Sequence, residues 1–135
     1  MTEAQKVLLT ALAAVLFDNS PPNPLSEEAR EEAKSQAVYS LVCEDKQTLQ
    51  TVSRNMKIAW EQKKLVNCLS EASIPCVVLK GLAAAMYYPD PMRRSLGDID
   101  IIVRPEDFPK AFTTMLEHGC TTEDSPEGSK RHAHF

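Results

Sequence analysis

Apolar positions in the first half of the chain recur at helical spacing. Ala4, Val7, Leu8, Ala11, Leu12, Val15 and Leu16 lie three and four apart and predict an amphipathic helix. The stretch Asp18-Asn19-Ser20-Pro21-Pro22-Asn23-Pro24 ends it, because proline has no amide proton and restricts the residue before it. Ser26 then reads as an N-cap, with Glu27 and Glu28 at the positive end of a second helix. Ala29, Ala33, Ala37, Leu41 and Val42 would form the inward stripe of that one helix. Asp45 is placed to cap a third helix running to about Ser73, with Leu49, Val52, Met56, Ala59, Trp60, Val66 and Leu69 as its apolar stripe.

The period then changes. Ile74-Pro75 breaks the helix, and Cys76-Val77-Val78-Leu79 is short, apolar and β-branched, as in a strand buried on both faces. Gly81 opens an alanine-rich helix that runs to Tyr87, and Tyr88-Pro89-Asp90-Pro91 reads as a turn. Ile99 to Val103 predicts a second buried strand. Pro105, with Glu106 and Asp107, suits the first turn of a last helix whose stripe is Phe108, Ala111, Phe112, Met115 and Leu116 and whose end is Gly119. Thr121 to Lys130 reads as a loop, and Arg131 to Phe135 as the start of another strand. The expected fold class is α/β (α+β): a helical region over 1–73 and a small mixed-sheet core over 74–135, forming one compact unit.

Composition narrows the function classes. A chain of 135 residues suits one domain, and 43% apolar with 25% charged residues excludes wholesale disorder. A formal net charge of -4 gives no electrostatic reason for non-specific nucleic-acid binding. Cys43, Cys68, Cys76 and Cys120 form no CxxC pair and read as small, reduced core residues. The apolar run Val7–Phe17 is too short to span a bilayer and lacks the basic leader of a signal peptide. A soluble, cytoplasmic protein with no membrane partner is therefore expected.

The chemistry concentrates in two motifs. Val77-Val78-Leu79-Lys80-Gly81 is a strand feeding a Lys-Gly turn, and Gly97-Asp98-Ile99-Asp100-Ile101-Ile102-Val103 carries two aspartates spaced i, i+2. Such a spacing places both carboxylates on one strand face, with Ile99 and Ile101 on the other. Paired carboxylates repel each other, and a hard divalent cation is the common way to satisfy them. A glycine turn brings backbone N–H groups near a phosphate, and Lys80 adds a point charge. Each motif has a plain alternative, a Lys-Gly turn kept for backbone reasons and an edge strand with solvated acids. Against the second stands the very apolar strand around the aspartates, where unpartnered acids are rare.

The ordered combination resembles the nucleotidyltransferase superfamily of polymerase-β type. More narrowly, it is similar to a bacterial family of uncharacterised nucleotidyltransferases. The likeness runs from about Leu49 to His118 and rests on Ile74-Pro75, Leu79-Lys80-Gly81, Tyr88-Pro89, Arg94 and Gly97-Asp98-Ile99-Asp100. It implies that Asp98 and Asp100 hold a catalytic Mg2+ (or Mn2+). It implies that Gly81 and the helix it opens cradle the β- and γ-phosphates, and that Arg94 reaches the triphosphate or steadies the loop, with Arg93 a solvated neighbour. Lys80 stands where the wider superfamily more often has glycine, so its phosphate role is an inference from its charge. The implied reaction is attack by an acceptor hydroxyl on the α-phosphorus of a nucleoside triphosphate, with pyrophosphate leaving. The acceptor, whether protein, RNA, sugar or small molecule, is open.

One departure matters. The superfamily's third acidic residue lies on a later strand, and here Glu123, Asp124 and Glu127 read as solvated loop charges. The sequence therefore reads as the leading part of a longer protein or as a reduced member. His132 and His134 read as a chain end without a ligating role. The rival function is a non-catalytic nucleotide-binding or protein-interaction module, and an unfinished sheet edge would allow self-association. Trp60, Tyr87 and Tyr88 are expected to serve packing.

Overall fold

Thr2 starts the first helix by a reciprocal cap. Its hydroxyl accepts from the Gln5 amide at 3.2 Å, and the Gln5 side chain accepts from the Thr2 amide at 3.0 Å. The computed structural model describes residues 1–18, 20 and 23–122. The helices are α1 (Glu3–Phe17), α2 (Glu27–Ser35), α3 (Tyr39–Val42), α4 (Lys46–Glu71), α5 (Gly81–Ala85) and α6 (Phe108–Glu117). The strands are β1 (Cys76–Leu79) and β2 (Asp100–Val103). The fold is mixed α+β with a helical N-terminal half, as the periodicity predicts. The expected mixed sheet is, among the described residues, one antiparallel pair. The loop and strand start expected over 123–135, with Glu123, Asp124, Glu127, His132 and His134, lie outside the described residues.

Backbone packing groups the described residues into two units: Met1–Ile58 with Lys80–Asp98, and Ala59–Leu79 with Ile99–Thr122. In the first unit Leu8, Ala11, Leu25, Ala29, Ala33, Tyr39, Leu41, Val42 and Cys43 form the core, with Leu12, Val15 and Tyr88 packed against it. Ser26 caps α2 as expected, accepting from the Ala29 amide at 3.3 Å. Asp45 caps α4, accepting from Gln47 and Thr48 at 2.9 and 3.2 Å.

The single helix expected from Ser26 to Val42 is two. Ala37 sits at φ 57°, in the left-handed region. There the Val38 amide donates to Ala33 O at 2.9 Å and the Ala37 amide to Lys34 O at 3.0 Å, the closure of a Schellman motif. Alanine carries no helix-stopping signal, so spacing alone runs through it. Ser73 at φ 56° and Gly119 at φ 88° close α4 and α6 with the same pair of bonds.

The apolar stripe expected on α4 is also corrected. Leu49, Met56 and Trp60 are 70%, 60% and 60% exposed, whereas Thr48 and Asn55 are buried. Trp60 instead lies under the Lys64 ammonium at 4.5 Å, and Tyr87 is 91% exposed, so neither serves core packing.

In the second unit Leu69, Ile74, Ala111 and Met115 form the core, with Leu65, Cys76, Ile101 and Val103 packed against it. β1 and β2 pair Cys76 with Val103, Val77 with Ile102, Val78 with Ile101 and Leu79 with Asp100. Only one face of this ladder meets that core. Cys76, Val78, Ile101 and Val103 are half-buried, while Val77, Leu79, Asp100 and Ile102 are exposed. The expectation of strands buried on both faces is thus replaced by alternation, the pattern of a sheet covered on one side. Pro105–Asp107 form a 3-10 turn ahead of α6. The four cysteines are free thiols, buried or half-buried. Burial pushes the thiols of Cys43, Cys68 and Cys120 up. No helix among the described residues is long and apolar enough to cross a membrane.

Candidate nucleotide site

The Lys-Gly turn has an unusual backbone. Lys80 adopts φ 51° and ψ -134°, a conformation ordinarily left to glycine, and Gly81 follows at φ 42°. A non-glycine residue held there costs on the order of 1–3 kcal/mol and persists only where its surroundings impose it. A Cβ added to Gly81 would meet the Asp98 carbonyl oxygen at 4.0 Å. The turn and the start of the Gly-Asp-Ile-Asp motif therefore run side by side within the first unit.

Arg94 joins the same place. Its Nη1 donates to the Gly81 carbonyl at 3.3 Å and to its neighbour Ser95 O at 3.4 Å. Its guanidinium stands 5.8 Å from the centre of the Tyr88 ring, a cation–π contact. Tyr88 in turn packs on the first core. Among the described residues both Arg94 hydrogen bonds use Nη1, one of the three nitrogens among which a guanidinium spreads its five donors.

The stretch that carries Arg94 is held by residues the sequence reading missed. Asn55, fully buried on α4, donates from Nδ2 to Met92 O at 2.6 Å and to Arg94 O at 2.7 Å. Arg54 donates to Leu96 O at 2.6 Å. Arg93 is not the solvated neighbour expected. It is half-buried, donating from Nε to Ser40 O at 2.6 Å and from Nη2 to Cys43 O at 2.7 Å, and it pairs with Glu44. Asp90 caps the turn that follows, accepting from the Met92 amide at 3.1 Å. A polar residue at an inward helical position was the one signal for Asn55. Nothing local marks Arg54 or Arg93.

Exposure alternates from Asp98 to Val103: Asp98, Asp100 and Ile102 are exposed, and Ile99, Ile101 and Val103 half-buried. The two aspartates thus follow the i, i+2 rhythm. Asp98 itself precedes β2, which begins at Asp100, so it stands in extended chain and not in the ladder. Gly81, Arg94 and Asp98 meet within the first unit, with Lys80 beside Gly81 in the chain. Asp100 belongs to the second unit, opposite Leu79 in the strand pair. Among the described residues no group of three or more His, Cys, Asp or Glu side chains gathers as a metal cage. Either carboxylate offers the hard oxygen donors that magnesium takes, the ion's shell being completed with water and phosphate oxygens.

A family model of uncharacterised nucleotidyltransferases matches residues 8–135. The chain belongs to that family, and nucleotidyl transfer is the function class its membership supports. No curated protein and no solved structure matches the chain.

Proposed function

We propose that the protein transfers a nucleoside monophosphate from a nucleoside triphosphate to a hydroxyl acceptor, with Mg2+ (or Mn2+) as the cofactor. The observation that carries this reading is the meeting of the Gly81 turn, the Arg94 guanidinium and the backbone of Asp98 in a member of this family.

In this reading Gly81 leaves room for the triphosphate to approach the backbone, where any side chain would intrude. Lys80 and the remaining Arg94 donors bind the β- and γ-phosphates, whose charge builds up as pyrophosphate departs. Asp98 and Asp100 would hold the divalent ion, which when bound would supply charge neutralisation around the α-phosphate. The acceptor oxygen forms its bond to the α-phosphorus as the bond to the bridging α–β oxygen breaks. The chain's own contribution is positioning and charge, since little covalent chemistry falls to the protein.

Calorimetric titration of ATP, GTP, CTP and UTP, each with and without magnesium, tests the reading. Magnesium should tighten binding of at least one nucleotide, and Asp98→Ala should abolish that tightening. Without magnesium the same variant should bind no more weakly than wild type, because the carboxylate repels phosphate. Absence of binding by the wild type, or an unchanged magnesium effect in Asp98→Ala, would sink the proposal.

A further inference from the structure

Two adjacent residues of α4 hold three carbonyls at alternate positions of one stretch. Asn55 takes Met92 O and Arg94 O, and Arg54 takes Leu96 O, all at 2.6–2.7 Å. The reverse placement of the Asn55 amide would set its oxygen against two carbonyl oxygens, so the donor assignment is fixed by chemistry. The arrangement is not the one stability alone would select. Asn55 is fully buried, and its Oδ1 has no hydrogen-bond partner among the described residues. An unpaired buried acceptor is costly, so the Asn55 amide is kept here at some expense in stability.

What the pair gains is a fixed course for the chain between Met92 and Leu96. That stretch carries Arg94, whose guanidinium reaches the Gly81 carbonyl at 3.3 Å. Directly after Leu96 it passes through Gly97 to Asp98, whose carbonyl lies beside Gly81. From the opposite end Arg93 ties it to Ser40 and Cys43. All of these residues belong to the first unit.

We infer that Arg54 and Asn55 are positioning residues for nucleotidyl transfer, holding Met92–Leu96 so that Arg94 and Asp98 are presented together at the Lys80-Gly81 turn. The role rests on the nucleotidyl-transfer reading above and deepens it. Neither residue touches the nucleotide; each acts through the backbone that carries a binding group. Groups of this supporting kind typically change affinity or activity by about 10- to 100-fold.

The test uses the full chain with ATP, GTP, CTP and UTP as probes, each titrated with and without magnesium. Arg54 is exposed, so Arg54→Ala removes the Leu96 bond without opening a core. It should weaken magnesium-dependent binding of the preferred nucleotide by about tenfold or more. Arg54→Lys, which retains one donor, should recover most of that loss. Asn55→Ala should lose more, and thermal melting of each variant separates this from unfolding. A merely structural residue would lower the melting temperature and leave the magnesium dependence of binding as it was. Wild-type binding with an unchanged magnesium effect in Arg54→Ala overturns the positioning role alone. A wild type that binds none of the four nucleotides overturns the nucleotidyl-transfer reading and this role with it.

Discussion

The Arg94 guanidinium donates to the Gly81 carbonyl at 3.3 Å, tying the residue before Ser95 to the turn thirteen positions earlier. A charged side chain is thereby used in part to hold backbone. The relationship makes Arg94 both a fastener and a candidate phosphate ligand.

Arg94→Lys should separate those two uses. Lysine keeps the charge but loses the planar fork that spans two oxygens. Nucleotide affinity should fall about tenfold, a loss of about 1.4 kcal/mol. Arg94→Ala should fall further, and the difference between the two variants should shrink as salt is raised. Calorimetric titration across ionic strength measures both.

Tyr39 and Asp45 give the first unit a pH signature. The Tyr39 hydroxyl donates to Asp45 Oδ2 at 2.6 Å, and Arg30 Nη1 lies 3.4 Å from the same oxygen. The bond to Asp45, then burial, pushes the tyrosine up to about 12. The Tyr39 hydrogen bond, against a smaller opposing effect of burial, holds the Asp45 carboxyl below its ordinary value. For Tyr39 the folded value is the higher one. Its contribution is complete below about pH 10 and is lost as pH rises from there through about 12. For Asp45 the folded value is the lower one. Its contribution is complete above the ordinary carboxylate range and fades as pH falls through the depressed value. Tyr39→Phe should therefore flatten the alkaline arm of a stability–pH curve and cost about 1 kcal/mol at neutral pH, read by urea unfolding.

Ala37 and Ser73 hold left-handed backbone that glycine adopts without strain. Ala37→Gly should stabilise the protein by about 1 kcal/mol, because relief of the strained conformation outweighs the added freedom of the unfolded chain. Ser73→Gly should act in the same direction. Thermal melting measures both, and the two gains should add, since the sites lie in different units.

Leu49 and Met56 look like core positions by spacing but are exposed. Leu49→Gln and Met56→Gln should each change stability by less than about 0.5 kcal/mol in chemical denaturation. Leu69→Ala, on the buried part of the same helix, should cost about 2–5 kcal/mol. The contrast checks which face of α4 is packed.

Much of the fold was legible because its signals are local. Ser26 and Asp45 cap where a short oxygen-bearing side chain precedes a helix, and Gly119 ends α6 at φ 88°. Proline and period change separate the helical half from the strand pair. The break at Ala37 was not legible, since alanine favours helix and only packing forces it left-handed. The stripe on α4 misled for a related reason. Apolar spacing marks a candidate face, but other elements decide which face is covered.

The candidate site divides the same way. The order Lys80-Gly81, Arg94, Gly97-Asp98-x-Asp100 pointed to the family that the match over residues 8–135 shows, because spacing and residue type are local signals. The holding groups could not be read there. Asn55 meets Met92 across 37 positions and Arg93 meets Ser40 across 53. Such bonds leave no periodic trace. They exist only once the packed core has brought a helix and a loop within 3 Å, and that approach is what tertiary structure decided.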